Sequence, residues 1–173
     1  MRGFTQRSAA TNIKKPESTS KHSVNVSSHA LKFSQELRDA MTELRKDGGN
    51  VKLVIAEYEK QDPRTDKLNL GKKSAGDIAE FISSFKDEQA QYGLLRTTDN
   101  YEGITTVKFV YVAWIGEKVT GLARARVTVH KGACSELFAP HHVTFEATHR
   151  SDISEDEVKS KVQSASGSKV NVR

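Results

Sequence analysis

Four groupings of side chains in this sequence have the residue types for chemistry. Gly71-Lys72-Lys73-Ser74 partly matches a phosphate-binding loop, in which backbone N–H groups cradle phosphates and a lysine reaches the outer ones. The leading glycine of that motif falls where Asp66 stands, and Lys73 occupies the hydroxyl position, so a phosphate loop is set aside. His141-His142 invites a metal ion. Neighbouring residues of a strand point to opposite faces, so the two imidazoles are expected to diverge, one exposed and one half-buried. Cys134 is the single cysteine and has neither an internal bridge partner nor companions for a thiolate metal site. Beside Ala133 and Leu137 it reads as a small core or helix-face residue. Asp152, Glu155, Asp156 and Glu157 cluster where a helix begins, and negative charge favours the positive end of a helix without further function. No HExxH, GxSxG or GxGxxG occurs. No catalytic residue, metal ligand or cofactor is expected, and the chain does not read as an enzyme.

The remaining candidates are basic groups on regular elements. Lys108 opens the most apolar strand, and Arg124, Arg126 and Lys131 lie along one later stretch. Charge runs are ordinarily solvated faces, so these residues alone name no partner. The balance of charge narrows the choice. Of the net +5, residues 1–28 hold Arg2, Arg7, Lys14, Lys15 and Lys21 against Glu17, which is +4. The other 145 residues carry 22 basic and 21 acidic groups, which is +1. A nucleic-acid-binding domain normally has its own basic excess, so nucleic acid is not expected as a partner. No apolar run approaches the ~18 residues of a membrane span, and the N-terminus lacks an apolar signal stretch. The expectation is a soluble cytoplasmic monomer.

These groups must be positioned by elements that the apolar pattern predicts. Residues 1–28, rich in Ser, Thr, Lys and Asn, are expected to be a disordered basic tail. A domain over 29–167 follows, then a short tail over 168–173. Phe33, Leu37, Ala40, Met41 and Leu44 form one helical face, stopped by Asp47-Gly48-Gly49-Asn50. Val51 to Tyr58 and Leu68 to Leu70 read as strands joined by the turn Asp62 to Asp66. A second helix is expected to open near Ser74, with Ala75, Ile78, Phe81, Ile82 and Phe85 inward. Ala90 to Thr98 and Thr105 to Ile115 are strands around the turn Asp99 to Gly103. In the latter, Val107, Phe109, Tyr111 and Ala113 take one face and Val110, Val112 and Trp114 the other, the mark of a central strand covered on both sides. Val119 to Phe138 fits strand or helix. Helix is the reading adopted, with Leu122, Ala125, Val129, Ala133 and Leu137 as one face and Arg124, Thr128, Lys131 and Ser135 as another, ended by Pro140. Val143, Phe145 and Ala147 alternate in a last strand, and Ser154 with Glu157 caps a final helix. The order α-β-β-α-β-β-α-β-α makes an α/β domain, a mixed sheet with helices on both faces.

One block is specific enough to suggest kinship. Val107-Lys-Phe-Val-Tyr-Val-Ala-Trp-Ile-Gly-Glu117, continued by Lys118-Val-Thr-Gly-Leu-Ala-Arg-Ala-Arg126, resembles the signature of the coactosins, within the actin-depolymerising-factor homology family. Leu95 to Asp99 resembles the preceding strand end, and Phe145 and Val158-Lys-Ser160 fall into register, so the likeness spans roughly 30–167. It implies a single domain with a mixed five-stranded sheet between helix pairs, and a non-catalytic protein binding the sides of actin filaments. It further implies that Lys108 is central to filament contact and that Arg124 and Arg126 lie on the docking helix. Lys131, beside them on the same stretch, and the C-terminal Lys159 and Lys161 are further actin-binding candidates from their own positions. Two places depart from the family pattern. Thr105 and Thr106 replace a basic pair, and Gln163 to Gly167 lacks a lysine pair. Alternatives are a cofilin-like factor that binds monomeric actin or severs, and a scaffold binding another protein or acidic lipid. The implied location is the cytoplasm, on the cytoskeleton.

Overall fold

Strand β5, Ile104–Ile115, carries apolar residues on both faces, and the architecture follows from covering both. The computed structural model describes Gly3 and residues 30–167; the expected tails, apart from Gly3, lie outside the described residues. Phe109, Tyr111 and Ala113 join a core with helices α1, Gln35–Arg45, and α3, Gly121–Phe138. Val110, Val112 and Trp114 join a second core with α2, Ile78–Ser83, and α4, Glu155–Ala165. The two faces of β5 are those expected from alternation.

The sheet has six strands, one more than expected, in the order β1-β3-β2-β4-β5-β6. The extra strand is β1, Lys32–Phe33, which pairs in parallel with β3, Lys67–Ser74. Phe33 therefore belongs to a strand rather than to the first helix. Ser34 caps α1 by accepting from the Leu37 N–H at 3.2 Å, so the helix starts after Phe33 and not at it. β2, Leu53–Tyr58, lies antiparallel between β3 and β4, Ala90–Tyr101. β3 runs on past Leu70 to Ser74, with a bulge opposite Ile55 and Ala56 absorbing Gly71. That extension delays α2, whose cap is Asp77 accepting from the Glu80 N–H at 2.9 Å, so Ser74 and Ala75 lie outside the helix. β4 and β5 pair without interruption to Tyr101 and Ile104. Only Glu102 and Gly103 turn, both with positive φ, as a two-residue hairpin requires. β6, Val143–Ala147, closes the far edge parallel to β5.

Trp114 anchors the second core. Its side chain is 1% exposed, its Nε1 donates to the Lys86 carbonyl at 2.8 Å, and its ring stacks on Phe85 at 5.5 Å. The capping box of Ser154 and Glu157 that starts α4 is present as expected.

Candidate functional site

The stretch whose pattern fits strand or helix is helical, but α3 buries a different face from the one expected. Val127, His130, Cys134 and Phe138 point inward. Leu122 and Val129 are each 68% exposed, and Ala125 is exposed between them. At about 100° per residue, the buried face is turned by roughly 100° from the predicted stripe. Periodicity failed over the first half of α3, where two apolar stripes compete and only one fits against the sheet; further on, Ala133 of the predicted stripe is half-buried and Leu137 packs against the core. The result is an outward ridge of Leu122, Ala125 and Val129 along the first half of a long helix.

The basic candidates on α3 do not share a face. Arg124 donates to the Val119 carbonyl at 3.0 Å and the Gly116 carbonyl at 2.8 Å, which fastens the turn between β5 and α3. Lys131 pairs with Glu146 of β6 at 2.6 Å, on the flank of α3 that Arg124 shares. Arg126 lies on the other flank. It donates through Nε to Asp66 at 2.7 Å, and a second hydrogen bond makes the pair bidentate. The guanidinium holds the Asp66 carboxyl below the usual carboxylate range.

Asp66 sits in a left-handed backbone conformation, φ 51°, at the end of the short turn before β3. Its carboxylate also lies 3.0 Å from His130 Nε2, off the line of a good hydrogen bond. His130 is 2% exposed, and its Nδ1 lies 2.9 Å from the Tyr58 hydroxyl, which in turn lies 3.1 Å from the Tyr92 hydroxyl. Burial pushes the His130 imidazole below its ordinary value and the Cys134 thiol up to about 12. The chain is hydrogen-bonded from Tyr92 through Tyr58 to His130 Nδ1, and its last step, His130 Nε2 to Asp66, is a close approach without hydrogen-bond alignment. Nothing in the sequence pattern singled out Asp66, His130, Tyr58 or Tyr92, since the four come from four different elements.

The other candidates lie across the sheet. Lys108 shares the β5 face of Val110, opposite Thr97 of β4, and is half-buried. Its side chain makes no hydrogen bond or ion pair among the described residues. Thr97, Thr98 and Asp99 line a small groove with Lys159, Val162 and Gln163 of α4, which brings Lys159 toward the Lys108 end of the sheet. Lys159 pairs with Glu155 at 3.2 Å, and Lys161 Nζ stands 3.9 Å above the Phe145 ring. Lys108, Lys159 and Lys161 thus occupy one side of the domain, and Arg124, Arg126 and Lys131 the other.

His141 and His142 precede β6 instead of lying in it, so the alternation argument does not apply. Both rings turn to the same face. His141 stacks on Tyr111 at 4.9 Å and His142 on Phe109 at 5.9 Å, with His142 Nδ1 accepting from the Phe109 N–H at 3.0 Å. Among the described residues, no three His, Cys, Asp or Glu side chains are grouped to hold a metal ion.

Comparison with known proteins places this geometry. Residues 30–163 match the profile of the cofilin/tropomyosin-type actin-binding proteins. The chain is 30% identical over 135 residues to coactosin of Dictyostelium discoideum, covering 78% of this chain and 90% of that protein. It is 30% identical over 139 residues to human coactosin-like protein, covering 80% and 94%. The crystal structure of coactosin from Entamoeba histolytica superposes with a TM-score of 0.72 at 26% identity, over 80% of this chain and 99% of that one. The solution structure of mouse coactosin, an actin filament binding protein, gives 0.59 at 28% identity, over 78% and 91%. The chain belongs to the cofilin/tropomyosin-type actin-binding family and, within it, is similar to the coactosins.

Proposed function

We propose that this protein is a non-catalytic binder of actin filament sides, acting in the cytoplasm on the cytoskeleton. The observation that carries the reading is the α3 ridge, where Leu122 and Val129 stand 68% exposed on a helix with an adequate apolar face already buried. Large apolar side chains aligned on one exposed helix face favour a protein partner over solvent. Family membership and the mouse relative's filament binding support actin as that partner. Lys108 supplies the second contact. Its side chain has no hydrogen bond or ion pair among the described residues and lies on the opposite face of the sheet from α3, with Lys159 and Lys161 of α4 on that same face. Two surfaces on opposite sides of one domain suit a position between neighbouring subunits of a polymer better than a single patch on one monomer. Arg124 and Arg126, already committed to carbonyls and to Asp66, hold α3 in place in this reading. The test is co-sedimentation with filaments alongside binding to monomeric actin. Pelleting with filaments and weak monomer binding are expected. Tight monomer binding, or shortening of filaments in microscopy, would favour the cofilin-like alternative.

A further inference from the structure

A helix with two apolar stripes has two ways to lie on a sheet, and α3 is such a helix. Its inner stripe is Val127, Cys134 and Phe138; its outer one is Leu122, Ala125 and Val129. Hydrophobic burial is non-directional and does not by itself distinguish them. Polar groups do, because a buried donor or acceptor without its partner is costly. On α3, Arg126 and His130 stand one turn apart on the inward flank, and both face one carboxylate, Asp66. His130 continues inward to the Tyr58 hydroxyl of β2, and Tyr58 to the Tyr92 hydroxyl of β4. The chain of polar groups therefore ties the middle of α3 to two strands and to the turn before β3. Rotating α3 by roughly 100° would carry Arg126 and His130 away from Asp66 and leave the Tyr58–Tyr92 pair under an apolar stripe.

We infer that the Asp66–Arg126–His130–Tyr58 network selects which apolar stripe of α3 packs inward, and so keeps the Leu122–Val129 ridge on the surface. Asp66, Arg126 and His130 are positioning residues. Arg126 acts on a partner only through the helix it orients. The part of the inference that concerns packing stands on geometry alone; the consequence for filament binding rests on the function proposed above.

The molecule carries its own reporter. Cys134 is the single cysteine and sits fully buried on the inner stripe. A second protein, Val129→Cys with Cys134→Ala, reports the outer one. The network is removed by Asp66→Asn, Arg126→Leu and His130→Leu together, asparagine being tolerated in the left-handed conformation of residue 66 and leucine preserving core volume. The measurement is the rate of thiol modification by a maleimide under native conditions, with circular dichroism showing that the fold is kept. With the network intact, the thiol introduced by Val129→Cys reacts at a rate near that of a free thiol, and Cys134 is protected. Without the network, the expected change is reciprocal: Cys134 reacts at least tenfold faster and the introduced outer thiol at least threefold slower. Unchanged rates overturn the inference. So does a faster Cys134 with an unaltered outer thiol, which is general loosening. Co-sedimentation of the same variant separates the two readings. If the thiols exchange protection and filament binding persists, the network orients α3 but the ridge is not the docking surface.

Discussion

Replacing Leu122 and Val129 by serine tests the proposed docking surface with little risk to the fold. Each side chain is 68% exposed, so about two thirds of its apolar surface remains for a partner to cover. Full burial of such a side chain is worth roughly 1.5–3 kcal/mol, so each should contribute about 1–2 kcal/mol on docking. At 1.4 kcal/mol per tenfold, either serine variant should weaken filament affinity by about 5- to 30-fold. The double variant should lose about 25- to 900-fold, provided the two act independently. Stability should change by no more than about 0.5 kcal/mol per site, since neither side chain belongs to a core cluster. The assay is co-sedimentation over a range of filament concentrations, with the melting temperature measured in parallel. Wild-type affinity in the double variant would refute the reasoning. A fall of many degrees in melting temperature would show instead that the ridge packs against the domain.

Lys108→Glu should weaken co-sedimentation strongly, by about 2–5 kcal/mol if the lysine meets an acidic group at close range, and rising salt should weaken the wild type in the same direction. The variant should stay folded, because the Lys108 side chain has no hydrogen bond or ion pair to lose among the described residues; wild-type pelleting of a folded variant would exclude this contact. Trp114→Ala should cost about 3–5 kcal/mol, since a fully buried ring and its hydrogen bond to Lys86 are removed. Wild-type tryptophan emission should be blue-shifted and nearly insensitive to actin, and solvent-like emission would contradict the burial. His130, His141 and His142 all have folded pKa values below the ordinary histidine value, chiefly from burial. The unfolded chain therefore binds protons first on acidification. The melting temperature should be level above about pH 7 and fall as pH drops below about 6.5; a melting temperature that rises on acidification would reverse the sign.

Much of the fold was legible because its signals are local. The two faces of β5, the inward set of α1 and the Ser154–Glu157 cap each follow from residues adjacent in sequence. The sixth strand was not, because two residues beside β3 carry no period to read. The face of α3 was misread because choosing between its stripes depends on Asp66, Tyr58 and Tyr92, which are distant in sequence. The same holds for the histidines before β6, whose orientation is set by Phe109 and Tyr111. At the candidate site, Lys108 could be picked out as a charge in an apolar strand, whereas the ridge could not. Apolar residues at helical spacing look like core whichever way they face.

That ambiguity also explains why a polar network sits under α3 at all. Replacing buried polar groups by well-packed apolar ones is often neutral or stabilising, so the network is weak evidence for stability as such. Its stronger effect is to make one packing distinguishable from its rival, as buried polar residues do when they fix register in helical assemblies. If α3 docks as proposed, it has special need of this, because the surface it offers a partner must be apolar enough to bind and must not be drawn into its own core. The candidate cations of α3 contribute to that end by being committed internally. Arg126 is held by Asp66, Arg124 by two carbonyls and Lys131 by Glu146, which leaves the ridge flanked by compensated charge. In the function proposed above, Lys108, across the sheet and without an ion pair among the described residues, supplies charge-directed contact, and the two faces then divide the work between apolar burial and electrostatic register.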